Sequence, residues 1–425
     1  MLSLPSAAEC CIPAPCNVTF SQPGRLTGHN TARMTKPRDR AIWLDYCRAF
    51  ITVLVVAHHS SLAYTTFASF NKQAYNASTH PIVDTMRSYS LDIFEDFNDV
   101  FFMALMFLIS GIFVLPALAR KGPRTFIRDR FFRLFVPFLI AVTFLMPLGY
   151  LSSWHLAHGN YDLHAFLVDY IRVEHWPAGP PWFIAALFVF NLIVAAGYRW
   201  WRPGFEKASA GLATLAGKPV RVWIGWWLIT ACLFVPLVLL FGGSAWISLG
   251  PFAIQLSRIL LYFGYFLGGI LLGAAGTDNG LLDERSGFMQ KGPLWTLLCL
   301  LAYTALKLVG LPIGALADSG RITEIQARLL YRPVWALSCA ASSIAFLAIF
   351  RRHTHRARKT WDSLAANAYG IYLIHYIFVL WCQFLLLPLA LPALVKFAGT
   401  FTCSLLLSWL LTAQARKIGI IRKWL

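Results

Sequence analysis

The stretch LDYCRAFITVLVVAHHSSLAY, residues 44–64, decides how this chain is read. It is an apolar run that holds Arg48 and His59 with ten residues between them. Eleven steps at 3.6 residues per turn return to nearly the same helix face, and the rise separates the two by roughly 16 Å. The neighbouring His58 falls about 80° away from Arg48. Asp45, three residues before Arg48, is placed to pair with it near one end of the helix. A guanidinium and an imidazole inside an apolar helix each carry a desolvation cost, so a face that holds both needs a reason. One reading has Arg48 snorkelling to the interface and His59 as a satisfied core histidine. The other makes them two stations on a polar track, and the shared register favours it.

The rest of the chain supplies a membrane around that helix. Of 425 residues, 58% are hydrophobic and only 13% charged, and the mean hydropathy is +0.59. Apolar runs near 20 residues recur in one continuous array, which soluble domains do not need. The expected fold is all-α: a polytopic membrane helix bundle of about ten transmembrane helices. The spans fall at about 43–66, 97–119, 134–154, 181–198, 222–242, 258–276, 293–312, 331–350, 364–387 and 391–413. Residues 1–40 are rich in Pro, Ser, Thr and Cys without a long apolar core, so a disordered segment is expected there, with Met34 as an alternative start. One membrane domain, 41–416, and a short basic tail, 417–425, complete the organisation. The nine cysteines show no CxxC or Cys/His spacing, which argues for buried free thiols and against a metal site.

The net charge of +18 does not point to nucleic acid, because the cations sit in short loops between spans. Alternate loops and the two ends carry 27 of the 37 Lys and Arg, whereas the opposite loops carry 5. Both termini are therefore expected in the cytoplasm. No internal repeat of the kind that marks many secondary transporters is visible.

Further candidates follow along the chain. Arg130 and Arg133 form an i,i+3 pair at the apolar boundary before Pro137, where two guanidinium forks suit phosphate groups. Asp92, Glu95, Asp96 and Asp99 share one helix face, a pattern that also suits a solvated helix N-terminus. Ser110-Gly111 reads first as a close-packing pair and second as part of a substrate path. Trp182 and Phe183 follow Pro180-Pro181 and read as interface-belt aromatics. His375, beside Tyr369 and Tyr372, is a second costly intramembrane histidine. His155, His158, His164 and His175 lack metal-ligand spacing and are expected to be solvated.

Five of these pieces, in order over about 43–380, resemble acyltransferase family 3 of integral membrane O-acyltransferases, nearest the periplasmic-glucan succinyltransferase branch. They are the Arg48–His59 spacing, Ser110-Gly111 in FFMALMFLISGIFV, Arg130 and Arg133 in FIRDRFFRLFVP, Trp182-Phe183 in PPWFIAALFVFNL, and NAYGIYLIHYIF ending on His375. The resemblance implies ten spans in the plasma (inner) membrane and transfer of acetyl or succinyl from acyl-CoA to a hydroxyl of an envelope carbohydrate or lipid. His59 would be the catalytic residue, as general base or as an acylated nucleophile. Arg48, Arg130 and Arg133 would hold the CoA phosphates, and Asp45, Ser110, Trp182 and His375 would line the substrate path. The competing function is a transporter or flippase of a lipid-linked sugar, using the same polar track as a pathway.

Overall fold

The computed structural model describes residues 41–422. The expectations for residues 1–40 and for the last three residues of the tail lie outside them. Ten long helices follow one another: α1 (Ile42–Ser61), α2 (Tyr89–Lys121), α3 (Pro123–His158), α4 (Trp182–Ala213), α5 (Pro219–Phe241), α6 (Leu256–Ala275), α7 (Met289–Asp318), α8 (Glu324–His353), α9 (Lys359–Leu386) and α10 (Ala393–Ala415). Among the described residues, nine of them, α2 to α10, are long and apolar enough to cross a membrane. The remaining helix, α1, has 20 residues, which at 1.5 Å per residue is about the 30 Å of a hydrocarbon core. Its shortfall is one of composition, because Asp45, Arg48, His58 and His59 interrupt it. It packs on α2, α9 and α10 like any other member of the bundle.

The expected spans are each found, most of them as longer helices, although α1 stops at Ser61 where the span was expected to run to 66. The largest departure is α4, expected to stop near 198 and continuing to Ala213 through Pro203. Burial divides the bundle: 78% of the apolar stretch of α2 is inside the protein, against 17% for α5 and α7. The side chains that α5, α7 and α10 turn outward are leucines and other apolar residues. That is the face a lipid-bathed helix needs.

The tightest crossing is α2 on α6. A Cβ on Gly111 would lie 2.1 Å from the Phe266 carbonyl oxygen, and one on Gly269 would lie 1.9 Å from that of Leu108. Small residues there let two backbones touch, the main source of helix association where lipid removes the hydrophobic drive. Ser110 turns its hydroxyl back onto the Met106 carbonyl at 2.8 Å.

Two π-helical segments, Phe131–Phe135 and Ala141–Leu145, break the regularity of α3. Pro137 and Pro147 follow them. A proline has no N–H for the carbonyl four residues back and its ring pushes against that carbonyl, so the ladder widens. Arg133 is the residue left without its partner, and its carbonyl accepts the Tyr369 hydroxyl at 2.8 Å. A proline in α3 thus creates the acceptor that ties α3 to α9.

At the far end of α1 the segment 62–88 folds back over the bundle. The Asp84 amide donates to the Ala63 carbonyl at 2.9 Å, and the Ser88 amide to that of Tyr64 at 2.9 Å. Asp84 and Lys396 form an ion pair of 2.6 Å with both side chains 1% exposed. Glu174 accepts the backbone amides of Tyr75 and Asn76 at 2.8 and 2.6 Å. Single residues from α10 and from the α3–α4 connection therefore pin this cap down. The described cysteines are free thiols; Cys47, Cys299 and Cys339 are buried, whereas Cys232 and Cys403 face outward.

Candidate active site

The end of α1 under the cap is where the intramembrane histidines meet. The His59 ring lies 5.4 Å from that of His375, 5.3 Å from His58 and 5.1 Å from Tyr376, centre to centre. Residues 316 positions apart are brought together because α1 and α9 run side by side, with Tyr46 hydrogen-bonded to Asp362 one level and His59 against His375 the next. Both pairs are separated by 13 residues along their helices, so the register is kept.

The motif that ends on His375 has a structural reading residue by residue. Tyr369 reaches α3, and Tyr372 donates to the Pro180 carbonyl at the start of α4. Gly370 passes α10 so closely that a Cβ would lie 2.3 Å from Thr412. His375 Nδ1 lies 2.8 Å from the Tyr372 carbonyl and 3.2 Å from that of Ile371. A carbonyl only accepts, so these partners assign the ring proton to Nδ1 and leave Nε2 as the lone pair. That Nε2 is buried and has no hydrogen-bond partner, and neither has His59 Nδ1 or His58 Nδ1. Buried ring nitrogens are normally satisfied, so three empty ones in one cluster mark a place that waits for another group.

A second layer holds the cluster. Gln383 donates from Nε2 to the His59 carbonyl at 3.0 Å, and its Oε1 accepts from His80 Nε2 at 2.8 Å. His80 belongs to the cap, where burial pushes its imidazole down to about 4. His58 faces the other way, with its ring 4.9 Å from Phe102 and its Nε2 3.9 Å from Glu95.

The acidic stripe of α2 does not act as one surface. Asp92 accepts the Thr66 amide at 2.7 Å, Asp96 pairs with Lys307 at 2.8 Å, and Asp99 grips Arg258 through both oxygens. Each acid on that face serves a different neighbouring segment. Arg258 also lies 5.0 Å over the Trp335 ring, so its charge is enclosed on both sides.

The opposite end of α1 is open. Arg48 donates to Asp45 at 3.0 Å, with its side chain 41% exposed. Arg130 lies over the Phe126 ring at 4.9 Å, and Arg133 is exposed. No contact among the described residues joins Arg48 to Arg130 or Arg133, and the two arginines of α3 are not a regular i,i+3 pair, since the π-helical segment begins between them. Phe183 is buried and packs on Phe107 and Tyr372, while the half-buried Trp182 lies against Tyr262 and the exposed Trp246. Trp182 and Ser110 have no ring or hydrogen-bond contact with His59 among the described residues. Of the loop histidines, His158, His164 and His175 are exposed, while His155 is half-buried and stacked on Tyr161.

Sequence reasoning did not find His80, Gln383 or Tyr376. Tyr376 and Gln383 share α9 with His375, one and eight residues beyond it, and a search for polar residues on that helix would have reached them. His80 sits in an irregular segment with no periodicity to read.

The family model described as acyltransferase domain matches residues 41–413. No curated protein and no solved structure matches the chain.

Proposed function

The chain belongs to the acyltransferase family, and on that premise we propose that it moves an acyl group, acetyl or succinyl, from acyl-CoA to a hydroxyl of a cell-envelope carbohydrate or lipid. The observation that carries the reading is the His59–His375 cluster, with the empty ring nitrogens His59 Nδ1 and His375 Nε2, and His58 Nδ1 beside them, at one end of α1 and Arg48 on the same helix face as His59 at the other. The charge bias of the loops supports cytoplasmic termini and hence a cytoplasmic Arg48 end in the plasma membrane. Arg130, Arg133 and Arg48 would receive the phosphates of the donor there. The pantetheine arm is comparable to the roughly 16 Å rise between Arg48 and His59, so the thioester carbonyl would arrive at the imidazole.

In the transfer step a neutral imidazole takes the acceptor hydroxyl proton as its oxygen bonds to the thioester carbon. The C–S bond breaks, and the thiolate leaves with the proton that the imidazole collected. His59 is the residue proposed for that proton. His375, whose Nδ1 is committed to backbone carbonyls, presents its lone pair beside it and lines the same path. Ser110 and Trp182 pack around α2 and α4, further from the reacting groups.

Mass spectrometry of envelope glycans and lipids from cells with and without the intact protein tests the proposal. The expected result is an acyl mass present with the protein and missing without it. An unchanged acylation pattern in every envelope fraction would contradict it.

A further inference from the structure

Five cations lie within the spans expected from the sequence: Arg48, Arg258, Lys307, Arg332 and Lys396. Arg48, Arg258, Lys307 and Lys396 each close on an aspartate. Arg332, on α8, has no carboxylate, carbonyl or hydroxyl partner among the described residues, and its Nε is buried without a hydrogen bond. Its guanidinium is held by rings instead, 5.4 Å from the centre of Tyr331 and 6.0 Å from that of Phe234. The chain also makes room for it. A Cβ on Gly243 would lie 2.7 Å from Arg332 Nη2. A half-buried guanidinium that aromatic walls and a glycine make room for, but that hydrogen-bonds to nothing among the described residues, keeps its donors free for a counter-charge that is not part of the chain.

Arg332 opens onto a cavity of about 480 Å³ between α7 and α8, at the histidine end of the bundle. Tyr89, Lys307, Glu324, Arg328 and Tyr331 are also in its wall. Lys307 is neutralised by Asp96 and Arg328 by Glu324, so the net positive charge of the cavity is that of Arg332. Asp99 attracts Arg332 electrostatically, but both its oxygens are taken by Arg258. Tyr89 is 60% exposed on the rim. A sugar ring presents CH faces to such phenol rings and hydroxyls to the charged side chains, which makes a polar cavity of this kind suited to carbohydrate. The wall is also tied to the reaction site: Lys307 meets Asp96 on α2, one residue from the Glu95 that faces His58.

We propose that this cavity is an anchoring subsite for an anionic group, carboxylate or phosphate, carried by the carbohydrate acceptor, with Arg332 as its specificity-determining residue. The proposal rests on the acyl-transfer reading for the identity of the acceptor, and not for the site itself. An acceptor longer than one sugar would place its charged unit here and a neighbouring hydroxyl at the histidines.

The test uses the full chain in nanodiscs, with glucose 6-phosphate, glucuronate and glucose as probes followed by titration and saturation-transfer NMR. At least one of the two anionic sugars is expected to bind, and glucose far more weakly. Arg332→Met keeps most of the apolar stem and should weaken the anionic sugar about tenfold or more, the loss expected for a charge-assisted hydrogen bond. Arg332→Lys should restore part of it, which a merely structural defect would not allow. His59→Ala should leave sugar binding unchanged, so failure of the catalytic reading is seen separately in acyl transfer. Equal binding of glucose, binding of neither anionic sugar, or binding that survives Arg332→Met would overturn the proposal. So would a site filled only by phosphatidylglycerol added to the nanodiscs, which would make it a headgroup pocket.

Discussion

The two ends of α1 are built on opposite principles. At one end Arg48 is 41% exposed in side chain, its partner Asp45 lies three residues away, and Arg133 on α3 is open to solvent. At the other end His375 is wholly buried, His80 is 2% exposed, and Asp84 and Lys396 are buried behind them under a cap drawn from three parts of the chain. Loose, hydrated cations can adjust to a flexible polyphosphate, whereas proton transfer needs rings held in one orientation and one tautomer. On the proposed reading, the difference would separate a donor-binding end from a reacting end, and the following variants are chosen to break that separation.

The largest effect is expected at the buried end. His59→Ala should lower transfer by about 10² to 10⁴, the usual worth of a general acid–base group, while membrane insertion and the melting temperature stay close to wild type. Comparable losses of transfer and of stability would make His59 a packing residue and dissolve the contrast.

Next comes the cap. Asp84→Asn leaves the Lys396 ammonium buried without its counter-charge and should cost about 3–5 kcal/mol in a chemical or thermal melt. Asp84→Leu with Lys396→Met should recover most of that. A single variant as stable as wild type would show that the cap is not what keeps the histidine end dry.

A third change touches neither end. Gly111→Ala drives a methyl group into the Phe266 carbonyl, a backbone atom that cannot step aside, and should destabilise the bundle by about 1–3 kcal/mol. Donor KM should change little if the two ends depend on separate contacts.

At the open end, Arg130→Gln with Arg133→Gln should raise the KM for acyl-CoA about tenfold or more, from the loss of charge-assisted contacts, and alter kcat less. An unchanged KM would move the donor away from α3.

The smallest effect is one of pH. The docked His80 ring, at about 4, stays neutral where the same ring in an undocked cap, near 6.5, is protonated. Docking is therefore at full strength above about pH 6.5 and weakens as pH falls towards 4. Glu174, which burial raises to about 6, acts in the opposite sense: its contribution is full below about 4.5 and fades as pH rises through 6. The amide protection factor over 75–84, taken against the intrinsic exchange rate at each pH, should fall between about pH 7 and about pH 5 in the wild type, and His80→Asn should remove that fall.

Much of this was legible in the sequence where a local rule sets the structure. Apolar runs and loop charge placed ten helices, because length and charge are what a bilayer selects. The Arg48–His59 register followed from helix geometry alone. The unforeseen features depend on what stands opposite. The stripe from Asp92 to Asp99 looked like one acidic surface, yet each acid was matched by a threonine, lysine, arginine or histidine distant in sequence. Arg133 and Pro137 could be read as a charge and a helix kink, but not as the carbonyl that Tyr369 would claim. Trp182 could be read as an aromatic after two prolines, but not as the ring that would meet Tyr262 of α6 and Trp246. His80 and Lys396 had no pattern to betray them, since a cap is specified by its contacts and not by periodicity.

Purified wild-type protein in nanodiscs, supplied with acetyl-CoA or succinyl-CoA and assayed for free thiol, addresses the division of α1 most directly. The account predicts donor-dependent release of CoA, quickened by a hydroxyl acceptor and lost in His59→Ala. Failure to turn over or bind either donor, with the protein folded, would contradict it.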